Sequence, residues 1–185
     1  MIDTEFYEKL NGLKSYPNFI NCLKLAKHKI DKEFHMELIL RMYIGYQDDI
    51  NYDEYGPLSS LLISDFFDNE TRKLIKNSNF DDFIEIFKKT FDKFFTALEQ
   101  EAFKKYDPTQ DKFSGAFSVA IFEMLTTGVA KNIDYIESIS DGELVNKIKA
   151  IQSDEGVLRQ LRHGVKAINR FKELTAFSKE YFVGS

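Results

Sequence analysis

The chain has 185 residues, 43% of them hydrophobic and 30% charged, with a net charge of -5 and a pI near 5.3. A chain of this length hides roughly 70% of its unfolded surface, so one domain folds without a disulfide or a metal. The acidic balance excludes a protein that is basic all over and leaves room for a local basic face.

The start, "MIDTEFYEKL", is acidic and polar and shows no signal peptide. The most apolar stretch, "KFSGAFSVAIFEMLTTGVA" (112–130), is interrupted by Ser114, Gly115 and Ser118 and carries Glu123, so it does not read as a transmembrane helix. A cytoplasmic protein is expected. The one cysteine, Cys22, suits a reducing compartment; it lies in an amphipathic segment with no activating base beside it and reads as core.

In chain order, Pro17 fits the first turn of a helix through "NFINCLKLAKHK". Asp31 can start a helix through "KEFHMELILRMYIGYQ", ending near Gly45 to Gln47. An acidic, tyrosine-bearing loop closed by Pro57 follows, then a short helix in "LSSLLISDFF". The next stretch puts Phe80, Phe83, Ile84, Phe87, Phe91, Phe94, Phe95, Leu98 and Ala102 at steps of three and four, one face of a long helix. Asn79 stands where its cap would be. Asp107-Pro108 breaks the chain, and residues 112–130 predict a central helix in which Gly115, Ala116 and Ala120 admit close neighbours. Ser140 to Glu143 has the spacing of a capping box, and a last long helix, "VLRQLRHGVKAINRFKELTAFSKEYF", follows "SDEG". No strand pattern and no hairpin dipeptide is visible. The expected fold is all-α, a single multi-helix bundle over 1–185 with about seven or eight helices and no sheet. It admits a division into lobes 1–106 and 107–185.

Motifs for chemistry are sparse. His28 and His35 stand seven residues apart, His163 is remote, and no zinc spacing appears. Neither common nucleotide-binding loop occurs, nor a serine elbow. No cofactor or metal is implied, and Asp48, Asp49, Asp53 and Glu54 read as a solvated acidic loop. The last helix stands out: Arg159, Arg162, Lys166 and Arg170 follow steps of three, four and four, with His163 beside them. Leu158, Leu161, Val165, Ile168 and Phe171 fall on the other side, and no acid occurs from Gly156 to Lys172. Such a cationic ridge suits a phosphate backbone, whose counterions it displaces. It suits a solvated face or intramolecular ion pairing equally.

"RQLRHG" is similar to the R-x4-6-H motif of HEPN ribonucleases, although three residues separate Arg159 from His163, one fewer than that motif has. This implies an alternative reading as an RNA-cleaving toxin acting through Arg159 and His163.

Two further stretches resemble the helical C-terminal half of GmrSD-type restriction proteins. "EFHMELILRMYIGYQDD", with Glu37, Leu38, Leu40 and Arg41, is similar to its E-L-x-L-R segment, and "YDEYGPLSSLLISDFF" to the loop and short helix that follow. Gly115, Ala116, Phe117, Ala120, Phe122 and Glu123 are similar to its later N-x-A-L-F-E helix, and the likeness covers roughly residues 30 to 180. Glu37 and Arg41, one turn apart, also simply pair, for about a few tenths of a kcal/mol. The family's other half, ParB-like with a D-G-Q-Q/R motif, has no counterpart here. The resemblance implies a non-catalytic module of a bacterial restriction or phage-defence system. Its partner would be DNA or RNA phosphates, or a ParB-like or nuclease protein. A purely protein-protein or oligomerisation domain stays open as the third reading.

Overall fold

The computed structural model describes residues 4–23, 25, 33–77 and 80–184. Among them run ten α-helices: α1 (Thr4–Lys14), α2 (Pro17–Leu23), α3 (Phe34–Tyr46), α4 (Ile63–Asn77), α5 (Phe80–Leu98), α6 (Val119–Lys131), α7 (Ile133–Ser138), α8 (Asp141–Ser153), α9 (Glu155–Gln160) and α10 (Ala167–Tyr181). Strands β1 (Lys105–Asp107) and β2 (Lys112–Ser114) pair antiparallel, Tyr106 opposite Phe113. Three short 3-10 turns complete the path. The fold is an all-α bundle. The expected all-α bundle is present; among the described residues it has ten helices and one short hairpin, where about seven or eight helices and no sheet were expected.

The phenylalanine stripe becomes the hub of the core. Phe80, Phe83, Phe87, Phe91 and Phe94 of α5 are buried, while Ile84, Phe95 and Leu98 are half-buried at its edge. Their rings form a continuous lattice: Phe91 lies 4.6 Å from Phe87 and 4.8 Å from Phe19 of α2, mostly tilted or edge-on as ring quadrupoles prefer. Phe103 carries the lattice on to Phe122 of α6 at 4.9 Å. Cys22 is buried there, its thiol directed at the Phe91 carbonyl 4.0 Å away.

Helix α6 is central, every residue from Ala120 to Ala130 being buried. It packs along α10 over its length, and against α3 and α5. Gly128 permits the closest approach: a Cβ there would stand 2.6 Å from the Ser178 carbonyl oxygen and from the Phe182 ring. Asn132 closes this pair by donating to the carbonyls of Gly128 and Lys179, both at 2.9 Å.

Two long segments divide. Residues 112–130 are not one helix. Lys112–Ser114 is strand, Gly115 has φ +88, and Ser118 then caps α6, its Oγ accepting from Ile121 N. Gly115 has open space around it, so its role is reversal of the backbone and not helix contact. The last segment divides at Gly164, whose φ of +92 is left-handed. A smaller core of Ile44, Phe66, Phe67, Ile168 and Phe171, covered by Tyr52 and Tyr55, anchors the start of α10. The two proposed helix starts at Asp31 and Asn79 lie outside the described residues, as does His28.

Candidate functional site

The elbow between α9 and α10 carries most of the cationic candidates. Asp154 opens α9, its Oδ1 accepting from Gly156 N at 2.8 Å and Val157 N at 3.1 Å. Val157 is buried and pins the short helix to the core, while bonds from Leu161 N to Val157 O and from Arg162 N to Arg159 O close it. Gly164 then turns the chain, Lys166 is extended, and its carbonyl accepts from Arg170 N to open α10.

This geometry corrects the single ridge expected at steps of three, four and four. Arg159, Arg162, His163 and Lys166 stand exposed along the elbow and make no side-chain hydrogen bond or ion pair among the described residues. Arg170 does not join them. It is half-buried on α10, its Nε is enclosed with no hydrogen-bond partner, and its charge acts on Glu123. The apolar side divides as well: Ile168 and Phe171 are buried, Leu161 and Val165 half-buried, and Leu158 is exposed.

Elsewhere among the described residues nine lysines are matched. Lys9, Lys14, Lys73, Lys89, Lys93, Lys104, Lys131, Lys149 and Lys179 each pair with a carboxylate. Arg72, Lys76, Lys88, Lys105, Lys112, Lys147 and Lys172 make no such pair among the described residues, but acids such as Asp68, Asp81, Glu85, Asp107, Glu143 and Glu173 stand within a few positions of each, and Lys147 and Lys172 lie over the rings of Tyr135 and Tyr52. Among the described residues the elbow combines unpaired cations with a segment, Gly156 to Lys172, that is free of acids. The acidic loop is partly used internally, Asp48 holding both Lys131 and Lys179, and Glu54 holding Lys73.

Beside the elbow, α9 and α10 enclose a groove of about 400 Å³. Val157 and Leu174 form its floor, Phe177 a wall, and Asp154, Arg159, Gln160 and Glu173 its polar edge.

A second cluster lies inside the bundle. Glu123 of α6 is 2% exposed and pairs with Arg41 of α3. Arg41 also binds Glu37 through Nε at 2.9 Å and Nη2 at 2.6 Å, and its guanidinium lies 4.4 Å from the centre of the Phe67 ring. Burial pushes the Glu123 carboxyl up from 4.5 to about 7, against the pull of Arg41 and then of Arg170. The sequence offered one signal for this cluster, a lone acid in an otherwise apolar helix, which needs a cationic partner. The expected Glu37–Arg41 pairing is present, but as part of this larger network.

Among the described residues His35, His163 and Cys22 hold no common site. His35 is buried edge-on against Phe19, 5.5 Å between ring centres, and His163 is exposed. Among the described residues no group of three or more His, Cys, Asp or Glu is placed to hold a metal ion, and no helix is long and apolar enough to cross a membrane. No family model, curated protein or solved structure matches the chain.

Proposed function

We propose that this chain is a non-catalytic helical module that binds nucleic-acid phosphates through the elbow of Arg159, Arg162, His163 and Lys166. One observation carries the reading. Three permanent cations are exposed and, among the described residues, unpaired on a segment without acids, in a chain whose net charge is -5. Intramolecular pairing consumes most of the other described lysines, so among the described residues the elbow is where a polyanion meets uncompensated charge. The setting, a bacterial restriction or phage-defence system, rests on the resemblance to the GmrSD-type helical half. The ion pair from Arg41 to Glu123 supports it in one respect, because it joins the two stretches that carry the likeness.

Fluorescence anisotropy on labelled duplex and single-stranded oligonucleotides, titrated over salt, tests the binding. Three phosphate contacts give a slope of log affinity on log salt of about -2.7 for duplex and about -2 for single strands. The double variant Arg162→Glu/Lys166→Glu should flatten the slope and abolish binding at about 0.15 M salt without changing the helical spectrum. Binding that ignores salt, or survives the double reversal, overturns the proposal. RNA should stay intact with wild type. Cleavage that disappears in His163→Ala would replace this reading with the nuclease one.

A further inference from the structure

The groove beside the elbow has a chemistry different from the elbow's own. Its floor is apolar and fixed, Val157 and Leu174 being 2% and 1% exposed. Its wall is an aromatic ring that the fold leaves in solvent, Phe177 at 37% exposure. Tyr181, its one ring neighbour among the described residues, lies 6.0 Å away and tilted, so a face of Phe177 has no stacking partner there.

The rim is rich in unused acceptors. Glu173 is exposed and in no ion pair among the described residues, and Asp154 spends only Oδ1 on the α9 backbone. The Gln160 amide makes no hydrogen bond among the described residues, and Arg159 stands at the outer edge, where the groove opens to the elbow.

We infer that this groove holds one unstacked nucleobase bearing an exocyclic amine, guanine above all, from a single strand whose phosphates lie on Arg162 and Lys166. The inference rests on the nucleic-acid reading above and names its substrate class. Stacking on Phe177 explains why a large ring stays exposed next to a cationic surface, the pairing of features by which single strands are bound. Carboxylates explain the choice of base. Guanine presents N1–H and N2–H side by side to one carboxylate, and cytosine and adenine present an amine. Uracil and thymine offer a single N–H flanked by two carbonyls that Glu173 and Asp154 would repel. A duplex keeps its bases stacked, so it uses the elbow without the groove.

The test compares oligo-dT, oligo-dT with one central guanine, and a duplex, on wild type, Phe177→Ala and Glu173→Gln. Wild type should prefer the guanine-containing strand over oligo-dT by about tenfold, within the range of a single base–aromatic stack. Phe177→Ala should erase that preference and leave duplex affinity intact. Glu173→Gln should reduce the preference without weakening oligo-dT. Losses that are equal on all three ligands, or no loss in Phe177→Ala, overturn the groove while the elbow stands. NMR of the Phe177 ring protons with mononucleotides separates the two claims. A shift with guanosine monophosphate and not with uridine monophosphate supports the groove even where the elbow fails its salt test, and no shift with either overturns it.

Discussion

Replacing Glu123 with glutamine tests the physical account of the buried cluster. In the wild type the carboxyl is enclosed and titrates at about 7 instead of 4.5, so the folded chain holds its proton more tightly than the unfolded chain does. Stabilisation from such a group is complete below pH 4.5 and is lost as the pH rises through about 7. The gap is worth about 3 kcal/mol. The glutamine side chain keeps the shape and an oxygen that accepts from Arg41, while Arg41 keeps Glu37 as its counter-charge. The difference in unfolding free energy, Glu123→Gln minus wild type, should therefore climb by about 3 kcal/mol between pH 4.5 and about pH 8. His35 has the opposite sign. Burial lowers its pKa, so its stabilisation is present above 6.5 and lost as the pH falls. It is common to both proteins and cancels in the difference. Urea unfolding followed by far-ultraviolet circular dichroism across this pH range gives the measurement. A difference that stays flat, or falls as the pH rises, refutes burial as the dominant influence on Glu123.

Two further measurements address the packing. Gly128→Ala forces a methyl into the backbone of α10 and should cost about 3 kcal/mol in urea unfolding. Gly142→Ala meets open space within α8 and should gain up to about 1 kcal/mol, so equal effects at the two positions would contradict the described contact. Cys22 is 1% exposed, and burial pushes its thiol up to about 12. A disulfide reagent should label it only on unfolding, and fast labelling of the native protein would place it elsewhere.

Helix α5 was legible because a three-and-four spacing of phenylalanines has one geometric solution, a buried face. Helix ends were legible where a cap was local: Pro17 begins α2, and Ser140 accepts from Glu143 N as the capping-box spacing implies. The reversals were not. The hairpin rests on Asp107, which accepts from Thr109 N and Oγ1, and on Asp111 at φ 47. Strands of three residues are too short to show alternation. Gly164 falls inside the expected last helix, and only its φ of +92 reveals an elbow. The groove needed two helices to meet, and neither Phe177 nor Glu173 carries a local mark of it.

Arg170 shows what the elbow does to the proposed binding surface. On one continuous helix it would stand with Arg159, Arg162 and Lys166, and a duplex would meet four cations with a salt slope of about -3.6. The break at Gly164 turns α10 so that Arg170 faces inward, where it lends charge to Glu123. Three outward cations remain, and the expected slope falls to about -2.7. The buried carboxylate and the proposed binding surface thus draw on the same short supply of positive charge. A measured slope near about -3.6 would mean that Arg170 leaves Glu123 when a polyanion arrives. The carboxyl would then lose part of the field that holds its pKa down, and binding would take up a proton near pH 7. A slope near about -2.7, with no proton uptake, keeps the two sites independent.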